Sequence, residues 1–166
     1  MSPGARAASK EEIFLEVVGT AISGALERLE AIIAEAASPA ETLRKAIAGH
    51  LAYNLNPEEE GYYAMLVIND LRRTSDEVRK EIRGLQRTYV RRFASVIQRG
   101  IDETVFEPVN AHVATLAILN TINYASDWYR PEGRMSRQQV IDQLTQQLLY
   151  GVLRRETSPR PANPAD

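Results

Sequence analysis

Helix-start signals punctuate this chain at close intervals, and they restrict it to helices joined by short connections more firmly than any other feature. Ser9 followed by Glu12 is a capping box: the serine oxygen accepts the N–H of residue 12, and the glutamate reaches back to the N–H of Ser9. Ser38-Pro39 with Glu41 repeats the device, with proline at the first helical position, where its missing N–H is harmless. Ser136 with Gln139 is a third, and Thr74-Ser75-Asp76 is a further break and cap. Asn56-Pro57 ends one helix and opens another, because proline disfavours a helical backbone at the residue before it. No alternating strand pattern competes.

Between these signals apolar residues recur at steps of three and four. The first expected helix, Ser9 to about Ala36, carries Ile13, Val17, Ala21, Leu26, Leu29 and Ile33 as a stripe that Phe14, Val18, Ile22 and Ile32 widen. Further helices are expected from about Pro39 to Leu55 and from Pro57 to Arg73. A long one from Ser75 to about Thr104 follows, its core face running through Val78, Ile82, Leu85, Tyr89, Phe93, Ile97 and Ile101. Two more cover about Val109 to Tyr129 and Ser136 to about Arg155. The fold class is therefore all-α, a six-helix bundle-like domain over residues 9–155. Residues 1–8 and the proline-bearing 156–166 are expected to be disordered tails.

At 166 residues the chain makes one domain of ordinary size with a core of its own. The absence of cysteine removes disulfides, cysteine nucleophiles and cysteine-ligated zinc, and two histidines leave little for another metal site. His50 has Asn54 at i+4 and His112 has Leu116, so neither has a ligand or catalytic partner. With no nucleophile–base pair and no glycine-rich phosphate loop, the chain does not read as an enzyme, and no cofactor is expected. It has no apolar run of membrane-spanning length and no signal peptide at Met1 to Lys10, so a cytoplasmic protein is expected. The net charge of −2 hides an uneven distribution: residues 1–70 sum to −6, 71–100 to +6 and 101–166 to −2. Glu58-Glu59-Glu60 reads as first-turn acids complementing a helix dipole.

The helix from about Val109 is apolar almost all round. Taking 100° per residue from Val113, Ala117, Tyr124 and Trp128 fall at about 20–60°, while Ile118, Ile122, Ala125 and Tyr129 fall at about 120–180°. Six helices can hardly enclose a penultimate one on every side. A homodimer is therefore expected, its last two helices forming a four-helix bundle across a twofold axis. Leu119, Ile122, Trp128, Tyr129, Ile141, Leu144, Leu148 and Val152 are its expected interface residues. A monomer with a thick core is the alternative.

Two stretches resemble a known family. Ser9-Lys10-Glu11-Glu12-Ile13-Phe14-Leu15-Glu16-Val17-Val18 resembles the segment with which TetR-type transcriptional repressors leave their helix-turn-helix and enter a long connecting helix. Ala117 to Tyr124, with the turn Trp128-Tyr129-Arg130-Pro131-Glu132-Gly133, resembles the penultimate helix in the branch regulating fatty-acid and sterol catabolism. The resemblance covers about residues 9–155. It implies an all-helical effector-binding and dimerisation domain with a cavity among the central helices for a small apolar or acyl-coenzyme-A-like inducer. Only eight residues precede Ser9, where the family carries a three-helix DNA-reading head, so this chain is not expected to bind operator DNA by itself. A late start, a fragment and a genuine loss of the head remain open.

Within such a domain, the polar and aromatic residues that interrupt apolar faces are the pocket candidates: His50, Tyr53, Tyr62, Met65, Tyr89, Phe93, Asn120 and Asn123. Each is equally a core residue with its polar tip at the surface. The basic row Arg79, Arg83, Arg87 and Arg91 reads as a solvated face; if the effector is an acyl-coenzyme A, Arg91 and Arg92 are the arginines best placed for its phosphates. The expectation is an effector-sensing and dimerisation domain of a repressor. The alternative is an interaction module without a cavity that forms inactive heterodimers with intact regulators.

Overall fold

The computed structural model describes residues 9–153, so the expected tails, and Arg154 and Arg155 with them, lie outside the described residues. Among the described residues there are six α-helices, α1 (Lys10–Glu35), α2 (Pro39–Leu55), α3 (Glu60–Val67), α4 (Asp76–Asp102), α5 (Ala111–Trp128) and α6 (Arg137–Tyr150), with a 3-10 helix (Ile68–Arg73) between α3 and α4. The fold is all-α, and no helix among the described residues is long and apolar enough to cross a membrane.

The caps are where the sequence puts them. Ser9 and Ser136 both close capping boxes, Ser38 accepts from Glu41 N–H ahead of Pro39, and Ser75 accepts from Val78 N–H. Asn110, an unread signal, caps α5 through Val113 N–H at 3.0 Å. Helix α2 is the hub and packs against every other α-helix. Its Leu43, Ala46, Ile47 and Leu51 join Leu29 of α1, Phe93 and Ile97 of α4, Ile118 and Ile122 of α5 and Ile141 of α6 in one core. A smaller core joins Phe14 and Val18 of α1 to Val78 and Ile82 of α4, with Ile68 and Leu71 packed against it.

Three expectations about elements are corrected. The helix expected from Pro57 to Arg73 starts three residues late and changes to 3-10 geometry at Ile68, where Asn69 and Asp70 favour helix weakly and the three-residue period aligns Ile68 and Leu71 on the smaller core. On α1 the buried residues Phe14, Val18, Ala21 and Leu29 all lie in the expected, widened stripe, but Ile13 at its start is 51% exposed and is not core. Helix α6 stops at Gly151 instead of running to about Arg155; Val152 then turns inward and its carbonyl accepts from Glu107 N–H at 2.9 Å.

The α4–α5 corner depends on two unusual backbone positions. Val105 and Phe106 N–H both donate to Gly100 O, and the buried Phe106 ring lies so close over Gly100 that no Cβ fits there. Thr104 adopts φ 58, the left-handed region that costs a β-branched residue about 1–2 kcal/mol. Thr104→Gly is therefore expected to raise stability by about 0.5–1 kcal/mol, part of the relief being lost to glycine's freer unfolded chain. The check is a higher urea midpoint at unchanged slope.

Candidate functional site

A cavity of about 420 Å³ lies between α1, α2, α3, the 3-10 helix, α4 and α5. Val18, Ala21, Ile22 and Ala25 form its α1 wall, Ala64, Met65 and Ile68 a second apolar side, and Val90, Leu116 and Leu119 a third. Two hydrogen-bonded pairs stand on its wall. Tyr89 Oη lies 3.0 Å from His50 Nδ1, with the rings edge to face, and Asn54 Nδ2 donates to Asn123 Oδ1 at 3.1 Å.

Burial in apolar surroundings pushes the His50 imidazole from 6.5 down to about 4, and it raises the Tyr89 phenol, so both are neutral at pH 7. The pair then owns one O–H and one N–H proton, and their mutual bond uses one. Whichever tautomer is present, one donor of the pair remains unused by their mutual bond. Linkage follows with a definite sign. Folding lowers the His50 pKa, so the unfolded chain binds more protons between pH 6.5 and about 4. Stability from this residue is complete above pH 6.5 and is lost as pH falls through that window. His50→Gln, which does not titrate, is expected to flatten the stability–pH curve there by up to about 1.4 kcal/mol per pH unit relative to wild type, as read by urea unfolding across pH.

Tyr53 closes one end of the cavity. Its ring carries the Arg28 guanidinium at 4.2 Å, Arg28 bonds Glu59 at 2.6 Å, and the Tyr53 hydroxyl donates to Glu60 at 3.3 Å. Burial and the Glu60 carboxylate push this phenol up to about 12. Glu59 and Glu60 thus have tertiary partners and do more than complement a helix end. Gly61 permits the arrangement, since a Cβ there would lie 2.6 Å from the Tyr53 ring.

Of the expected pocket residues, His50, Tyr53, Met65, Tyr89, Asn120 and Asn123 line this cavity. Tyr62 and Phe93 do not, and both are corrected. Gly61, Ala64, Met65 and Ile68 turn one face of their segment inward, which sends Tyr62 away from it to meet the Tyr63 ring edge to face, centroids 5.8 Å apart. Phe93 lies a turn beyond Tyr89, fully buried in the main core. Asn54, Asn69, Gln86 and the carboxylate-bearing Asp127 also line it and were not expected; Asn54, one turn from His50, carried the nearest signal. Arg92 does not line the cavity and is bonded through Nε and Nη2 to Glu30 at 2.6 and 2.7 Å. Among the expected interface residues, Leu119, Ile122, Ile141 and Val152 are buried within the single chain. They have no appreciable area to offer a partner, and Leu119 lines the cavity instead. Trp128 is exposed, and Tyr129, Leu144 and Leu148 are half-buried against the main core.

The helical fold has known counterparts. Residues 36–152 match the family model described as Tetracyclin repressor-like, C-terminal domain. The chain belongs to this family. TetR-type proteins are non-enzymatic transcriptional regulators. The TetR-type domain is similar to a TetR/AcrR-family transcriptional regulator from Thermobifida fusca, at 28% identity and a TM-score of 0.73 over 90% of this chain and 77% of that one. It shares its fold with the ketosteroid transcriptional regulator KstR2 of Mycobacterium tuberculosis, at 22% identity and a TM-score of 0.77 over 90% and 76% of the two chains. It also shares its fold with AibR, solved in complex with isovaleryl coenzyme A and operator DNA, at 17% identity and a TM-score of 0.74 over 85% and 75%. No curated protein matches the TetR-type domain by sequence.

Proposed function

We propose that this chain is the effector-sensing and dimerisation part of a cytoplasmic, homodimeric TetR-type repressor, and that its effector is a small apolar or acyl-coenzyme-A-like molecule. The observation that carries the reading is the 420 Å³ cavity, mostly apolar, with the spare donor of the His50–Tyr89 pair on its wall. It favours an effector domain over a module with a solid core. Isovaleryl coenzyme A bound to AibR supports the ligand class.

The route from ligand to output runs through α1. This helix supplies one cavity wall with Val18, Ala21 and Ile22, and its first turn is tied to α4 by Ser75 N–H donating to Glu11 at 2.6 Å. In the resembling repressors this helix follows the DNA-reading head. An effector that binds one α1 position better than another therefore shifts the spacing of two heads across a dimer.

The test is thermal unfolding of the chain with octanol, isovaleryl coenzyme A and octanoyl coenzyme A as probes. A probe present at one hundred times its Kd is expected to add about 2.7 kcal/mol, which raises Tm by about 5–10 °C. Asn123→Ala and His50→Gln should each shrink that rise. A Tm unmoved by all three probes would overturn the reading.

A further inference from the structure

We propose that the cavity continues between α4 and α5 into an anion groove, so that the site takes an amphiphile whose apolar tail lies in the cavity and whose phosphate-bearing head lies outside on Arg83, Arg87 and Arg91. The inference rests on the effector reading above and adds the head-group site to it.

Continuity is the first support. Gln86, Val90 and Leu116 line both the cavity and a groove of about 660 Å³ on the outer side of α4, whose other lining residues include Arg83, Arg87, Arg91 and His112. Leu116, 40% exposed at the junction, gives an emerging chain an apolar edge to cross.

The state of the arginines is the second. Helix α4 carries six of them. Arg79 bonds Asp76, Arg92 bonds Glu30, and Arg99 bonds Glu103. Arg83, Arg87 and Arg91 have no carboxylate partner among the described residues, and no carboxylate lines the groove. Steps of four residues keep these three guanidiniums on one side of the helix over about 12 Å. Three neighbouring cations without counter-charge repel one another, and each is a planar fork suited to phosphate oxygens. A head with several phosphate oxygens relieves the repulsion and fills the forks.

The same features disfavour a nucleic acid strand. The chain is net negative, and no Phe, Tyr or Trp lines the groove for a base to stack on. A phosphate-headed small molecule with an apolar tail uses both compartments.

The experiment is calorimetric titration of the full chain with octanoyl coenzyme A, octyl phosphate, octanol and coenzyme A. The first two separate a nucleotide-borne head from a simple phosphate, and tight binding of either supports the proposal. The triple variant Arg83→Ala/Arg87→Ala/Arg91→Ala is expected to bind the phosphate-headed probe about thirtyfold more weakly and with less salt dependence, while octanol binds as to wild type. Arg92→Ala should leave both affinities unchanged. Undiminished binding of the phosphate-headed probes by the triple variant, with octanol still bound, overturns the groove and spares the effector reading. Coenzyme A binding as tightly as its octanoyl thioester, or a duplex oligonucleotide displacing the thioester, overturns the joined site. If wild type binds neither octanol nor any phosphate-headed probe, both readings fail together.

Discussion

Phe93→Ala is expected to cost the fold about 3–5 kcal/mol, a fifth or more of the roughly 5–15 kcal/mol a domain has to lose. The Phe93 ring is fully buried, stands 6.1 Å from Tyr89 and packs in the core that joins α2 to α4 and α5. Truncating it removes the transfer energy of the ring and leaves a void that rigid helix neighbours fill only in part. Tyr89→Phe, one turn earlier on the same face, loses one hydrogen bond to His50 and is expected to cost only about 1 kcal/mol. Urea unfolding of the two variants separates core filling from cavity lining on one helix. A loss below about 1 kcal/mol in Phe93→Ala would mean that its ring faces open space after all.

That contrast marks what the sequence makes legible. Caps are local chemistry, so Ser9, Ser38, Ser75 and Ser136 announce their helices from three residues away. Periodicity identifies the core face of α4, yet Tyr89 and Phe93 share that face and only the arrival of α2 and α5 decides which of them meets the cavity. The arginines follow the same logic. Arg92 differs from Arg91 because Glu30, sixty-two residues earlier, lies opposite it, and no spacing rule within α4 conveys that. Val152 misleads for a related reason: its place continues the apolar pattern of α6, while Gly151 ends the helix and the α4–α5 connection captures the next carbonyl.

The breadth of the apolar arc on α5 has a different outcome on each side of that helix. Ile118, Ile122 and Ala125 are absorbed by the subunit's own core, whereas Val113 is 62% and Trp128 46% exposed on a stripe that no described element covers. A second copy is the proposed cover, and a twofold axis makes each substitution act twice, once from either subunit. Val113→Glu combined with Trp128→Glu places four carboxylates in the seam. With each burying a charge that finds no partner, the expected loss is at least about 4 kcal/mol, or a thousandfold in the dimer Kd. Both positions are exposed in the single chain, so helicity and the urea midpoint of the isolated subunit should change little. Ile122→Ala is the converse control: it is expected to destabilise the subunit by about 2–5 kcal/mol through its own core. Sedimentation decides the matter. A wild-type dimer at micromolar concentration that becomes a folded monomer in the glutamate variant fits the proposed seam, and a wild-type chain that sediments as a monomer at that concentration removes it.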